Sequence, residues 1–326
     1  MNPGSCHRMQ TVTLARHAMA TRFEMVLHGE SESQLRMAGE EALTEVDRIE
    51  AQLSLYRPTS EIARVNAFAA REPVRITPPV FRLLEHACRL HHESGGAFDI
   101  TIAPLVRCWG FMDGSGSWPD SAEVIRVREQ VGMQHVILDE DSMTVRFDRE
   151  GVMLDLGAIG KGYAIDRAAE ILREAGVTSA LLHGGTSTVY GIGKPPSAEA
   201  WKVVIESPPG GDTAPKWLAT VPLQDEAMSV SAVSGKFFAH EGKNFGHVLD
   251  PRTGQPVTNA VLAAVVLPSA TETDALSTAL LVLGAEEDGQ IAQLRPHMQT
   301  LVVGAGAASF LPKCTGIPIK MQEGAK

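Results

Sequence analysis

The sequence predicts a globular protein built from both helices and strands, in one large domain or two closely packed ones. Its 326 residues are 44% hydrophobic and 21% charged, which supplies enough apolar material for a sizeable core. Short segments of alternating hydrophobicity, typical of strands, are separated by longer segments whose apolar residues recur every three or four positions. No window approaches the roughly 18 consecutive apolar residues of a membrane-spanning helix, so we expect no membrane span.

Composition also limits the class of partner. The net charge of -10 and the isoelectric point near 5.6 argue against nucleic-acid binding, which needs a concentrated basic surface. An anionic ligand would therefore have to be held by local features, such as a helix N-terminus, a single lysine or a metal ion.

The cysteines and the N-terminus predict a cellular compartment. The four cysteines are widely spaced and form no C-x-x-C pair, so we expect free thiols: Cys6, Cys88, Cys108 and Cys314. Residues 1–20 lack the apolar run of a signal peptide, and no lipobox precedes Cys6. We therefore expect a cytoplasmic protein, or a periplasmic one if a leader has been removed.

In chain order, the first half of the sequence predicts two strands followed by helices. The strands, 11–14 and 22–27, flank a short connection at 18–21. The next predicted elements are a helix with an apolar stripe over 35–53, a short helix that starts at Ser60, a helix from Thr77-Pro78 to Gly95, a helix over 121–132, and a hairpin of 135–139 with 143–148.

A glycine-rich corner follows near the middle of the chain. Val152 to Leu156 is predicted to be a strand, and the glycines after it lead into a helix that ends at Gly176. Lys161 lies at the start of this helix, where the helix dipole disfavours a cation unless an anion is shared with it. The residues fit either a site that holds an anion or a packing turn with a solvent-exposed lysine. Their spacing is not that of a Walker A loop.

The second half predicts more strands and one long helix. The strands are expected at 178–183, 201–206, 217–223, 228–232 and 261–267, with an exposed loop around 208–212. A helix opened by a capping threonine, Thr271, runs to Gly284. A further helix, a strand at 300–303 and a loose tail complete the prediction.

The helix after Thr271 carries a candidate metal site. Asp274 and Thr278 are four residues apart and therefore share one helix face, with Ser277 beside them. A carboxylate with hydroxyl groups supplies the oxygen ligands that magnesium prefers, particularly beside phosphate oxygens. A capped helix with an incidental threonine fits the same spacing, so both interpretations stay open here.

Two further aspartates are candidates for polar roles. Asp99 lies between Phe98 and Ile100, so its carboxylate is expected to be partly desolvated and hydrogen-bonded, either as a loop cap or to a ligand. Asp250 starts an Asp-Pro-Arg-Thr-Gly segment, typical of a proline-initiated turn capped by the aspartate. The role of His247, just before this turn, stays open at this point.

Six segments occur in an order that is typical of one protein family. They are Met19-Ala20-Thr21 and the residues 54–62, 95–105, 155–166, 247–254 and 273–279. Together they resemble the ApbE family of FAD:protein FMN transferases over about Met19 to Gly284, most of the chain.

The resemblance implies an α+β fold of antiparallel sheets backed by helices in two related halves, with the ligand in a cleft between them. It also implies one catalytic domain over residues 19–315. Residues 1–18 would then form an N-terminal extension with the first strand, and residues 316–326 a C-terminal tail.

The activity implied by the resemblance is magnesium-dependent. The FMN half of FAD would be transferred to a threonine or serine hydroxyl of an acceptor flavoprotein, and AMP would be released. Two alternatives remain open, namely an FAD pyrophosphatase that yields FMN and AMP, and an FAD-binding protein without turnover.

The resemblance also assigns residues. Those implied to bind FAD are Met19, Tyr56, Ala97, Phe98, Asp99, Asp155, Lys161 and the backbone at Val248; those implied to bind magnesium are the carbonyl of Ala158 with Asp274, Thr278 and Ser277. His247 is the expected general base, with Asp250 as an alternative base or as the group that orients His247. The sequence departs from the family pattern in having Ala20 for a glycine and Thr186 for an aspartate.

Overall fold

The computed structural model describes residues 9–112, 114, 116–208, 217–235, 237–305 and 312–318. The predicted N-terminal extension, exposed loop and C-terminal tail lie partly outside these residues. The helices are α1 Glu32–Leu53, α2 Glu61–Phe68, α3 Pro78–Glu93, α4 Ala103–Cys108, α5 Ser121–Arg128, α6 Gly160–Glu174, α7 Ala270–Leu283 and α8 Asp288–Ala292.

The strands follow the same chain order. They are β1 Gln10–Ala18, β2 Thr21–Gly29, β3 Val74–Arg75, β4 Val136–Asp139, β5 Thr144–Phe147, β6 Ser179–Gly184, β7 Thr188–Ile192, β8 Trp201–Glu206, β9 Trp217–Leu223, β10 Glu226–Ala232, β11 Phe237–His240, β12 Lys243–Gly246, β13 Leu249–Asp250, β14 Gln255–Pro256, β15 Ala260–Leu267, β16 Gln299–Gly304 and β17 Lys313–Thr315.

One antiparallel sheet forms the centre of the described structure. Its strand order is β1-β2-β6-β7-β10-β15-β16-β17, and every neighbouring pair is antiparallel. Helices α1, α6 and α7 pack side by side on one face. The β8–β9 hairpin covers part of the other face and encloses a second apolar core.

Strand β15 explains why the sequence 261–267 is apolar throughout. Ala263 and Val265 point into the core beneath the helices, whereas Ala264 and Val266 point into the core beneath the β8–β9 hairpin. Successive side chains of a strand face opposite sides of a sheet, so a strand covered on both faces needs apolar residues at every position.

The predicted strand from Val152 to Leu156 is wrong. These residues belong to no strand, because side-chain and loop groups take the backbone bonds that a neighbouring strand would make. The Asn66 amide accepts from the Leu154 N–H at 2.7 Å and donates to the Leu154 carbonyl at 2.9 Å. The Asp155 N–H donates to the Ile100 carbonyl at 2.7 Å. The apolar run from Val152 to Leu156 therefore indicates that the segment is buried, and it does not indicate pairing with another strand.

Asn66→Ala is expected to destabilise the protein by roughly 2–4 kcal/mol, because it leaves both polar backbone groups of the buried Leu154 without their partner. Chemical denaturation measures this loss. Asn244→Ala on the exposed part of β12 is the matched control and should change the free energy of unfolding little. An equal loss in both variants would contradict the role of Asn66.

Other differences concern element ends and short elements. Helix α7 begins at Ala270 and its N-cap is Ser269, so Thr271 is not the capping residue as predicted. Helix α5 ends at Arg128, before the predicted end at Gly132. Strand β7, helix α4 and the β11–β12 hairpin were not predicted; all are short segments next to glycines or proline.

The predicted free thiols are confirmed for the cysteines that the structure describes. Cys88, Cys108 and Cys314 are half-buried and unpaired, and burial raises the pKa of the Cys314 thiol to about 11. Cys6 lies outside the described residues. None of the described helices is both long and apolar enough to cross a membrane.

Candidate active site

The N-terminal parts of α6 and α7 meet at Asp274. Its carboxylate accepts a hydrogen bond from the Gly162 N–H at 3.0 Å, although the two residues are 112 positions apart. The Lys161 ammonium group donates to the same carboxylate at 3.3 Å and to the Gly157 carbonyl at 3.1 Å. A Cβ on Gly162 would lie 2.1 Å from the Ala270 carbonyl oxygen, so only glycine permits this approach.

The structure thus joins the two sequence segments that the metal-site prediction needed to be close. Ala158 lies in the turn between Gly157 and Lys161, and the Lys161 ammonium group donates to the Gly157 carbonyl as well as to Asp274. The side chain of Asp274 is only 5% exposed, so its charge needs this local compensation. The Gly157 carbonyl and the buried Asp274 carboxylate therefore both contact the Lys161 ammonium group.

The hydroxyl groups of α7 form a cluster beside this carboxylate. Ser277 and Thr278 each donate to the Asp274 carbonyl, at 3.0 and 3.3 Å. Both hydroxyls also lie within hydrogen-bond distance of Ser231 Oγ on β10, at 2.9 and 3.1 Å. Thr188 on β7 donates to the Asp274 carboxylate at 3.5 Å.

Thr188 and Ser231 were not predicted from the sequence as part of this cluster. A signal for Ser231 was present, because Ser229 and Ser231 alternate with apolar residues in the predicted strand 228–232. Polar residues that share one face of a buried strand need hydrogen-bond partners on the element that covers them. For Thr188 the strand itself was not predicted, so no such signal could be used.

These oxygen groups fit a magnesium ion. One carboxylate, two hydroxyls and a main-chain carbonyl are the hard oxygen ligands that magnesium prefers, with waters or phosphate oxygens completing the shell. Among the described residues no group of three or more His, Cys, Asp or Glu side chains could hold a metal.

Helices α6 and α7 cap one another. Asp274 of α7 binds an N-terminal N–H of α6, as described above, and Asp166 of α6 binds the N-terminus of α7 in return. The Asp166 carboxylate accepts from the Ala270 N–H at 2.8 Å, the Thr271 N–H at 2.9 Å, the Thr271 hydroxyl at 2.6 Å and the Ser269 hydroxyl at 2.9 Å. This reciprocal capping fixes the position of Asp274 relative to Lys161.

Asp166→Ala is expected to lower the free energy of unfolding by about 2 kcal/mol and to raise the magnesium concentration needed for half-maximal activity. The matched control is Asp120→Ala, which removes the capping bond to the Ala122 N–H of α5. That variant should lose stability without a change in magnesium requirement. An unchanged requirement in Asp166→Ala would contradict the positioning role.

Asp155 shapes the turn that leads into α6. Its carboxylate accepts from the Gly157 N–H at 2.8 Å. Burial raises the pKa of Asp155, although this hydrogen bond and the nearby Lys161 charge act in the opposite direction. The carboxylate therefore holds the turn in which the Gly157 carbonyl accepts from Lys161.

Asp99 caps its own loop, one of the two roles left open for it. Its carboxylate accepts from the Thr101 N–H at 2.7 Å and the Thr101 hydroxyl at 2.6 Å, and lies 3.1 Å from His91 Nδ1. Burial disfavours the charged His91 ring, but the hydrogen bond and charge of Asp99 outweigh it and raise the pKa of His91. An open cavity of about 500 Å³ borders Asp99 and Arg252.

Three more residues of the predicted FAD set, Ala97, Phe98 and Tyr56, differ in their exposure to solvent. Ala97 and Phe98 are buried, and the Phe98 carbonyl accepts from His91 Nδ1 at 3.1 Å. Tyr56 lies in the connection between α1 and α2 and is 69% exposed. Contact of these residues with FAD remains a prediction.

The predicted turn after His247 is present. The Asp250 carboxylate binds the Arg252 N–H at 2.9 Å and its guanidinium at 2.9 and 3.0 Å, and the Asp250 carbonyl accepts from Gly254 N–H at 2.7 Å. His247 is half-buried with its ring against Phe111 at 6.4 Å between centroids. The Val248 carbonyl accepts from the Val257 N–H at 2.9 Å. Asp250 therefore serves the turn, which leaves His247 as the better candidate base.

Comparison with known proteins settles the family. The sequence pattern of the ApbE family matches residues 19–302. The chain belongs to the ApbE family.

Curated ApbE relatives carry the name FAD:protein FMN transferase. The relative from Klebsiella pneumoniae (strain 342) is 28% identical over 297 residues, covering 88% of this chain and 83% of the relative. The relative from Treponema pallidum (strain Nichols) is 31% identical over 284 residues, covering 83% of this chain and 78% of the relative. The present ApbE chain is accordingly a transferase enzyme.

Solved ApbE structures share the fold. Pseudomonas stutzeri flavinyl transferase ApbE in its apo form has a TM-score of 0.82 at 26% identity, covering 96% of this chain and 97% of that one. The Thermotoga maritima ApbE protein has a TM-score of 0.81 at 26% identity with the same coverage. The predicted α+β class is thereby confirmed.

The two departures from the ApbE pattern lie at neighbouring turns. Met19 and Ala20 form the two-residue turn between β1 and β2 with φ of 50° and 56°, a left-handed geometry that disfavours residues other than glycine. The turn containing Thr186 lies beside the start of β2, because the Gly185 N–H donates to the Arg22 carbonyl at 3.1 Å. Both substitutions thus alter one end of the sheet, beside the predicted flavin contact Met19.

Proposed function

We propose that this enzyme transfers the FMN half of FAD to a serine or threonine hydroxyl of an acceptor protein and releases AMP. The observation that carries the proposal is the contact of Lys161 and Gly162 at the start of α6 with the buried Asp274 of α7. This contact of a cation and a helix N-terminus with a buried carboxylate supports a site for a pyrophosphate substrate and a metal ion.

The reaction exchanges one phosphate bond for another. The acceptor hydroxyl oxygen forms a bond to the phosphorus of the FMN half, and the phosphoanhydride bond to the AMP half breaks. The hydroxyl proton passes to His247, and AMP leaves with the bonding electron pair. Because phosphoryl transfer depends mainly on positioning and charge neutralisation, the protein needs no covalent intermediate.

Each proposed residue has a separate task. Lys161 provides a positive charge for the phosphates, and Asp155 holds the turn that carries the Ala158 carbonyl. Asp274, Thr278, Ser277 and that carbonyl would hold magnesium, which supplies neutralisation of the phosphate charge when bound. Met19 and Tyr56 are the proposed flavin contacts.

Incubation of the purified protein with FAD, magnesium and acceptor peptides tests the proposal. Covalent FMN on the peptide, together with an equal amount of AMP, is the expected result. FMN and AMP without peptide labelling would instead support the pyrophosphatase, and unchanged FAD would support binding without turnover. Omission of magnesium should abolish the labelling.

A further inference from the structure

Strand β10 carries two serines on the face that packs against helix α7. Ser229 and Ser231 share this face, because residues two positions apart lie on the same side of a strand. Ser229 is fully buried, with its Oγ 2.8 Å from Thr273 Oγ1. Strand β7 pairs with β10 as far as Ser229, and Ser231 lies beyond this pairing and is half-buried. Ser231 is thus the serine of the two that keeps contact with solvent.

Ser231 connects the two hydroxyls of the proposed magnesium site. Its Oγ lies 2.9 Å from Ser277 Oγ and 3.1 Å from Thr278 Oγ1. Both of these hydroxyls donate to the Asp274 carbonyl, at 3.0 and 3.3 Å. Because a hydroxyl has only one proton, the proton on Ser231 is the one that remains for the contacts among the three hydroxyls.

This hydroxyl cluster has more lone pairs than protons. Each hydroxyl oxygen has two lone pairs, and Thr278 uses its proton for the Asp274 carbonyl. A hydrogen bond from Ser231 occupies one lone pair of Thr278 Oγ1 and leaves the other for a cation. Neutral oxygens with a free lone pair are ligands that a hard cation such as magnesium accepts.

Exposure distinguishes the two contacts of Ser231. Thr278 is half-buried like Ser231 itself, whereas Ser277 is fully buried. A cation that keeps part of its water shell therefore reaches Thr278 more readily than Ser277. The contact of Ser231 that bears on metal binding is accordingly the one with Thr278.

The Thr278 side chain needs a second contact to stay in place. A threonine in a helix divides between two rotamers, because its hydroxyl can bond to a carbonyl of the preceding turn. The bond from Thr278 to the Asp274 carbonyl is 3.3 Å, which is long for a hydroxyl donor. Ser231 approaches Thr278 from the strand beneath α7 and supplies the contact that selects one rotamer.

We propose that Ser231 is a positioning residue for the magnesium site, because its hydroxyl donates to Thr278 Oγ1 and leaves one lone pair of this ligand for the cation. This inference rests on the magnesium site of the proposed function. Removal of a group that hydrogen-bonds to a metal ligand typically lowers metal affinity by about 10- to 100-fold.

Manganese binding to the FAD complex tests the proposal, since manganese replaces magnesium in oxygen sites and free manganese is measured by electron paramagnetic resonance. Ser231→Ala is expected to raise the Kd for manganese about tenfold, with an unchanged Kd for FAD in the absence of metal. Ser231→Thr retains the hydroxyl and should bind manganese as the wild type does. Ser231→Cys has a weak donor and should behave as the alanine variant, which it replaces if that variant does not fold.

The matched control is Ser179→Ala, which removes a buried hydroxyl of the same sheet. Ser179 lies on β6 and donates to the Lys194 carbonyl at 2.7 Å. The control should lose stability in chemical denaturation without a change in the Kd for manganese. An equal rise of this Kd in Ser179→Ala and Ser231→Ala would show a general effect of lost stability and would contradict the positioning role.

A double-mutant cycle with Thr278→Val shows whether Ser231 acts through Thr278. Ser231→Ala should raise the Kd for manganese about tenfold in the wild-type background and change it little in the Thr278→Val background. The same rise in both backgrounds would overturn the proposal, as would an unchanged Kd in Ser231→Ala. Absence of manganese binding by the wild type would instead contradict the proposed magnesium site, and the positioning role with it.

Discussion

His247→Ala is expected to reduce FMN transfer by about 100-fold or more while FAD binding remains close to that of the wild type, because the substitution removes only the group that accepts the hydroxyl proton. The affinity for FAD is measured by fluorescence quenching, and transfer by peptide mass. The half-buried ring packs against Phe111, so His247→Gln is included as a larger replacement that preserves more of this packing.

Asp250→Asn separates the two candidate bases. The amide retains one oxygen for the Arg252 N–H, so the turn should survive with a modest loss of stability. If His247 is the base, this variant should keep most of its transfer activity. Loss of transfer in Asp250→Asn with full activity in His247→Ala would reverse the assignment.

Asp274→Asn should produce the other large effect, a loss of transfer of roughly 100-fold or more with a higher magnesium requirement. The substitution removes the only charge among the proposed metal ligands and the counter-ion of Lys161. Loss of several kcal/mol of charge stabilisation corresponds to this factor. Magnesium-dependent thermal stabilisation in the presence of FAD provides a second measurement that does not depend on turnover.

The matched control for this variant is Asp225→Asn, which weakens the ion pair with Arg173 at 2.8 Å near the other end of α6. By helix rise, Lys161 and Arg173 are about 18 Å apart along the axis. The control should leave magnesium dependence unchanged. A magnesium response of Asp274→Asn that equals that of the wild type would exclude Asp274 as a ligand.

The contact between the two helix starts could be predicted in part from the sequence. Glycine and lysine at the start of α6 indicated an anion or a close approach, and the oxygen groups at one face of α7 indicated magnesium. The spacing of Asp274 and Thr278 fitted both a metal site and an ordinary capped helix, because helix periodicity does not show which helices are neighbours. Only the resemblance to the ApbE family placed Asp274 with Ala158.

The polar contacts that organise this site were harder to predict. Asn66 holds Leu154 from 88 positions away, and Asp166 caps α7 from more than a hundred positions away. Such bonds depend on the packed arrangement of distant elements, and no local pattern specifies them. The wrong prediction of a strand from Val152 to Leu156 has the same cause. A buried apolar segment has the sequence pattern of a strand whether another strand or side-chain groups bind its backbone.

We propose that the start of α6 and the start of α7 form one cation-dependent site for FAD. Anomalous diffraction from crystals grown with manganese and FAD tests it most directly, because manganese replaces magnesium in oxygen sites. We predict an anomalous peak in coordination distance of the Asp274 carboxylate and the Ala158 carbonyl, next to the FAD phosphates. Bound FAD with its phosphates and the metal peak away from both residues would contradict the account.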